Sequence, residues 1–124
     1  MDRSGIVITE IWTYVDQDSW TGTEIAGYAV EALDGEIGTI DEATYEAGGS
    51  YIVVDTGPWI FGKKVMLPAG VISRVDVDNE RVHVSLTKED IKNAPEFDES
   101  TYRDEAYRND LAGYYAQRAR GYRE

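Results

Sequence analysis

Between Gly27 and Thr87, short apolar and β-branched runs are cut at close intervals by Gly, Asp and Asn, and this punctuation limits the fold most. Runs of this length are too short for stable helices and read as strands. Tyr28 to Leu33 is followed by the turn Asp34-Gly35-Glu36, where glycine can take a positive φ. Ile37 to Tyr45 precedes the turn Glu46-Ala47-Gly48-Gly49, and Tyr51 to Asp55 is a compact run suited to burial. Lys64 to Leu67, Val71 to Val77 and Arg81 to Thr87 complete the set. The last alternates: Val82, Val84 and Leu86 face one side, and Arg81, His83, Ser85 and Thr87 the other. Five or six strands on short connections predict a meandering sheet that closes on itself, because closure removes exposed edges.

The flanks read differently. Thr87 can cap a short helix begun by Lys88-Glu89-Asp90, and Asn93-Ala94-Pro95 stops it. From Ala106 to Arg120 a helical stripe holds Tyr107, Leu111, Tyr114, Tyr115 and Arg118, with Tyr122 beyond it. Asp104 and Arg108 stand at ion-pair spacing, and the helix is too polar to persist undocked. In the first 26 residues the apolar cluster Ile6, Val7, Ile8, Ile11, Trp12 and Val15 predicts a strand or helix covering one barrel end. The segments are therefore 1–26, an extension; 27–98, the β-domain; and 99–124, a helical tail rich in Tyr and Arg.

Charge narrows the partners. The net charge is −12, and Met1 to Asp98 carries all of it, with 19 acidic and 7 basic residues; the tail holds 5 of each. A negative body repels phosphate backbones, so direct nucleic-acid binding is not expected. No apolar run approaches the ~20 residues of a membrane helix, and no signal-peptide pattern is present, so a cytoplasmic protein without membrane insertion is expected. With no cysteine, thiol chemistry and Cys-based metal sites are excluded.

Several motifs resemble those of PRC-barrel domains. They are Gly27-Tyr28-Ala29-Val30, Asp34 to Ile40, the Gly57-to-Gly62 segment leading into Lys64-Val65-Met66-Leu67-Pro68-Ala69, Val82 to Glu89, and Pro95-Glu96-Phe97-Asp98. The resemblance spans residues 25–98 and implies a small, closed, strongly bent β-barrel of five or six strands, with a short helix after the last strand and the α-helical tail appended. Such barrels occur in the H subunit of the photosynthetic reaction centre, at the C-terminus of a ribosome maturation factor, and as small stand-alone proteins. Their common theme is protein–protein contact without a shared catalytic motif.

Catalytic chemistry is sparse. His83 is the lone histidine, with Ser85 two residues away but unmarked by any activating partner. Gly57 to Lys64 echoes a phosphate loop, yet Lys64 stands where Ser or Thr would hold magnesium, and a strand follows instead of a helix. Asp76 to Glu80 opens like a calcium loop but has Arg81 and Thr87 where Gly and Glu are needed. No enzyme, cofactor or metal is expected. Function falls to surfaces: the apolar run Trp59, Ile60, Phe61, and the tail residues Tyr102, Tyr107, Leu111, Tyr114, Tyr115 and Tyr122. The expectation is a homodimeric interaction or assembly adaptor with an unidentified protein partner. A ribosome- or RNA-associated accessory factor is the alternative, and a small-ligand barrel the second.

Overall fold

The computed structural model describes residues 11–14, 20, 22–45, 49–57, 63–98 and 100–118. The strands are β1 (Ala29–Ala32), β2 (Gly35–Ala43), β3 (Tyr51–Asp55), β4 (Lys64–Pro68), β5 (Ile72–Asp76) and β6 (Arg81–Val84). Helix α1 (Lys88–Lys92) and the tail helix α2 (Glu105–Arg118) follow. The fold is mainly β, and no helix among the described residues is long and apolar enough to cross a membrane.

The strands form one mixed sheet in the order β4-β3-β2-β1-β6-β5. The meander expectation fails at one junction: β1 pairs in parallel with β6, and every other pairing is antiparallel. The expected closure is not made by hydrogen bonds, since β4 and β5 are the two edges of the sheet. A three-residue 3₁₀ turn, Ala69–Val71, joins these edges in sequence. Pro68 has no N–H to extend a ladder, and the turn's own groups go elsewhere. Ala69 N donates to Ser50 O (3.0 Å), and Val71 O accepts from Ser85 N (2.9 Å) and Ser85 Oγ (3.2 Å). The bent sheet is thus tied at its corner by a turn, where a ladder was expected.

Burial follows the two-residue period in β1 and β6, where Val30 and Ala32, and Val82 and Val84, are buried; in β2 the buried Ile37 and Ile40 are three apart, beside the register shift against β1. In β3 every residue from Tyr51 to Val54 is buried, so both faces of that strand are covered. Ile52 and Val54 share one face by alternation; Tyr51 and Val53 share the other. Tyr102 meets Tyr51 on that second face, with ring centroids 6.1 Å apart. One hydrophobic core draws on all three segments of the chain, including Ile11, Trp12, Tyr14, Trp20 and Ile25 from the first and Leu111, Ala112 and Tyr115 from the last. Around Ile11 and Trp12 the chain makes only a short 3₁₀ turn, tied down by Ser50 N donating to Trp12 O at 2.7 Å.

Thr87 caps α1 as its position predicts: Thr87 Oγ1 accepts from Asp90 N (3.1 Å), and an Asp90 carboxylate oxygen accepts from Thr87 N (3.0 Å). The Asp104–Arg108 pair does not form. Arg108 instead lies 4.5 Å over the Trp12 ring and donates to Gly49 O at 3.2 Å.

Gly38 is where the sheet tolerates least change. Its φ is +151°, and a Cβ there would sit 2.1 Å from Asp55 O on the adjoining strand. Both strain and collision involve backbone, so relaxation is costly. Gly38→Ala is expected to lower stability by about 3 kcal/mol or more, read as a fall in denaturant midpoint at unchanged m-value. A change below ~1 kcal/mol would contradict this close approach of β2 to β3.

Candidate functional site: a lysine-rimmed cleft beside the tail helix

A cleft of about 310 Å³ opens between β4, α1, the connection after α1, and α2. Part of its lining is apolar, contributed by Val65, Met66, Ile91, Ala94, Phe97 and Tyr115. Around them stand Lys63, Lys64 and Lys92 with Glu96, so three of the chain's four lysines gather at one recess. Each element contributes for a local reason. The antiparallel pairing of β4 with β3 sets Met66 opposite Val53, and the cap at Thr87 starts the short helix that delivers Ile91 and Lys92. Pro95 then holds the connection extended, which brings Glu96 and Phe97 to the rim.

The charges are partly paired. Lys63 Nζ donates to a Glu96 carboxylate oxygen, and Lys64 Nζ donates to Asp41 Oδ2 at 3.0 Å. Lys92 is exposed in the last turn of α1. With Glu96 and Asp41 set against the three lysines, the rim keeps one cation in excess on an otherwise acidic body.

Tyr115 is the chemically unusual member. It is fully buried, and its hydroxyl has no hydrogen-bond partner among the described residues. Burial pushes its phenol well above the ordinary tyrosine range, so it stays neutral. A buried hydroxyl left unmatched costs about 1–3 kcal/mol.

The structure scatters the residues singled out by sequence. Trp59, Ile60, Phe61 and Tyr122 lie outside the described residues. Tyr102, Leu111 and Tyr115 are buried within the chain's own core. Tyr107 is half-buried with its hydroxyl donating to Pro95 O (3.3 Å), and Tyr114 donates to Asp90 O (2.5 Å). Tyr102 OH donates to Glu42 Oε1 (3.0 Å), while Arg103 bonds the other oxygen of Glu42 (3.2 Å) and lies over the Tyr102 ring. His83 sits on the outer face of β6. Arginine can only donate, so Nε2, 3.1 Å from Arg74 Nη2, is the acceptor and Nδ1 carries the proton toward Glu31, 3.7 Å away. Ser85 turns away to Val71 O. At the acidic hairpin, Asp76 accepts from Asn79 N (3.2 Å) and Nδ2 (2.9 Å), which holds its carboxyl below the usual range. Among the described residues, no three His, Asp or Glu side chains are gathered as metal ligands. Sequence reasoning missed the cleft; its available signal was lysine scarcity, with three of four lysines in residues 63–92 later sharing one recess.

No family model and no curated protein matches the chain. Among solved structures, it resembles RimM of Pseudomonas aeruginosa, a proposed 16S ribosomal RNA processing protein, at 14% identity and a TM-score of 0.43. The match covers 56% of this chain and 47% of that one, so the chain spans about half its relative's length. A likeness this distant carries no argument about function.

Two outcomes follow from these tyrosines. Burial, and for Tyr102 the hydrogen bond to Glu42, raises the phenols of Tyr102 and Tyr107 from 10.0 to about 12. Below pH 10 both states hold the proton and this contribution is intact; above it the unfolded chain releases protons first. Stability is therefore expected to fall as pH rises from about 10 to about 12, and Tyr14 and Tyr115, raised further by burial, continue the fall above it. Denaturant midpoints together with tyrosinate absorbance would check this, and midpoints flat across that window would refute it. Separately, Tyr115→Phe removes the unmatched hydroxyl and is expected to stabilise the empty protein by about 1 kcal/mol, measured by chemical denaturation.

Proposed function

We propose that this chain is a non-catalytic interaction module: the bent sheet is a scaffold, and the lysine-rimmed cleft recognises an acidic, apolar segment of a protein partner. One observation carries the reading. On a chain of net charge −12, three of four lysines surround a recess whose lining includes the apolar side chains of Val65, Met66, Ile91, Ala94 and Phe97. The apolar side chains supply affinity and the cations supply sign selection. The resemblance to PRC-barrel domains, whose common theme is protein contact, supports the same class and is compatible with a barrel closed by side-chain packing.

A dimer through the tail is less favoured, because Tyr102, Leu111 and Tyr115 are already committed to the chain's own core. A phosphate-backbone ligand is disfavoured as well. Outside the cleft, Arg74 and Arg81 of the body face Asp76 (3.6 Å) and Glu36 (3.3 Å), so no basic stripe extends from the lysines.

The test is co-purification from cells with the full chain and with a Lys63→Glu, Lys92→Glu double variant. Both side chains are exposed, so the variant is expected to keep the native circular dichroism while losing the wild-type partner at least tenfold. Retention of the same partner by a folded variant would reject the cleft as the recognition site.

A further inference from the structure

The described surface contains a segment with the chemistry this cleft selects. Three large apolar side chains are exposed among the described residues: Leu33, Tyr45 and Val77. Tyr45 is engaged locally, and Leu33, 56% exposed, stands beside a carboxylate that is already bonded. The Tyr45 hydroxyl donates to Glu24, and its ring lies 5.8 Å from that of Tyr14. Beside Leu33, the Asp34 carboxylate is spent on Lys88 N at 2.8 Å. Val77 is different. It stands 39% exposed at the tip of the β5–β6 hairpin, followed by Asp78 and Glu80. Those two carboxylates make no ion pair or side-chain hydrogen bond with another described residue.

The tip is also held in one shape. Asp76 is bonded twice by Asn79, Glu80 N donates to Val77 O (3.2 Å), and Glu80 O accepts from Ala29 N (3.0 Å). Glu80 takes a left-handed φ of +53°, which fixes the sharp return into β6. An aliphatic anchor beside free carboxylates, presented by a rigid turn, loses little entropy when it docks.

We infer that the occupant of the lysine-rimmed cleft is the Val77-Asp78-Asn79-Glu80 tip of a second copy of this chain. This rests on the cleft being the recognition site proposed above. Val77 enters the apolar recess between Met66, Ile91 and Phe97, and Asp78 and Glu80 meet Lys63 and Lys92. Tip and cleft are different surfaces, so the contact is heterologous: two copies can reciprocate, or further copies can add head to tail. Each body carries net charge −12, but repulsion beyond ~8 Å is screened at physiological salt, which leaves the short-range pairs to decide.

The experiment is light scattering across a concentration series with the full chain, Val77→Asp, and Lys63→Glu/Lys92→Glu. All three are exposed sites, so native dichroism is the entry condition. The wild type is expected to rise from 13.9 kDa toward twice that mass or beyond, and each variant alone to stay monomeric. Mixing the two variants is decisive. Val77→Asp keeps an intact cleft and the lysine variant an intact tip, so the mixture is expected to regain one contact and stop at the dimer. A wild type monomeric throughout, or association that survives either substitution, overturns the inference. A synthetic peptide spanning residues 74–81 separates this from the broader reading. If it shifts cleft resonances while the full chain stays monomeric, the cleft recognises acidic, apolar segments of other proteins and self-docking fails alone. If it leaves the cleft unmoved as well, both fail.

Discussion

Strand β3 has no solvent face, and the arrangement of the rest of the chain follows from that. A strand of Tyr51, Ile52, Val53 and Val54 buries one set of side chains in the bend of the sheet and still has an apolar face to cover. The described tail residues provide part of the cover: Tyr102 packs on Tyr51, and Arg108 reaches over Trp12 to Gly49. The tail is thereby part of the core. Tyr102, Tyr107 and Tyr114 suit the task because a tyrosine can bury its ring while its hydroxyl meets a backbone carbonyl or carboxylate at the seam, as Tyr107 does at Pro95 and Tyr102 at Glu42.

This double use explains what was legible in the sequence. Strand positions were, because period-two alternation and glycine-rich turns are local signals: β3 matches its expected bounds, and β4 extends the expected run by one residue to Pro68. The cap at Thr87 was legible for the same reason. Strand order was not, since the parallel pairing of β1 with β6 joins residues some fifty positions apart, Ala29 with Arg81, without any local mark. The tyrosine stripe was legible as an apolar face but silent about what it covers. A helix bearing aromatic residues reads identically whether its partner is its own sheet or a neighbour's.

The cleft was illegible for a related reason. Lys63 precedes β4 and Lys64 opens it, Lys92 ends α1, and Tyr115 lies near the end of α2; only folding brings them together. The covering of β3 creates this site as a by-product. To reach its seat, the chain must pass from α1 around Pro95 to the helix, and the passage leaves a gap between β4 and α1 that α2 closes only in part. Sequence charge counts average over such a place, so a net of −12 hides a cationic recess.

Tyr115 ties the two roles together. Every other tail tyrosine named here either satisfies its hydroxyl within the described chain or, as with Tyr122, lies outside it, whereas Tyr115 buries its own with no partner there. Phenylalanine would pack the same volume without that cost. A seam built for stability alone has no use for the oxygen. Tyr115 lies where β4, α1 and α2 converge, so the least stable choice in the core falls at the edge of the candidate cleft.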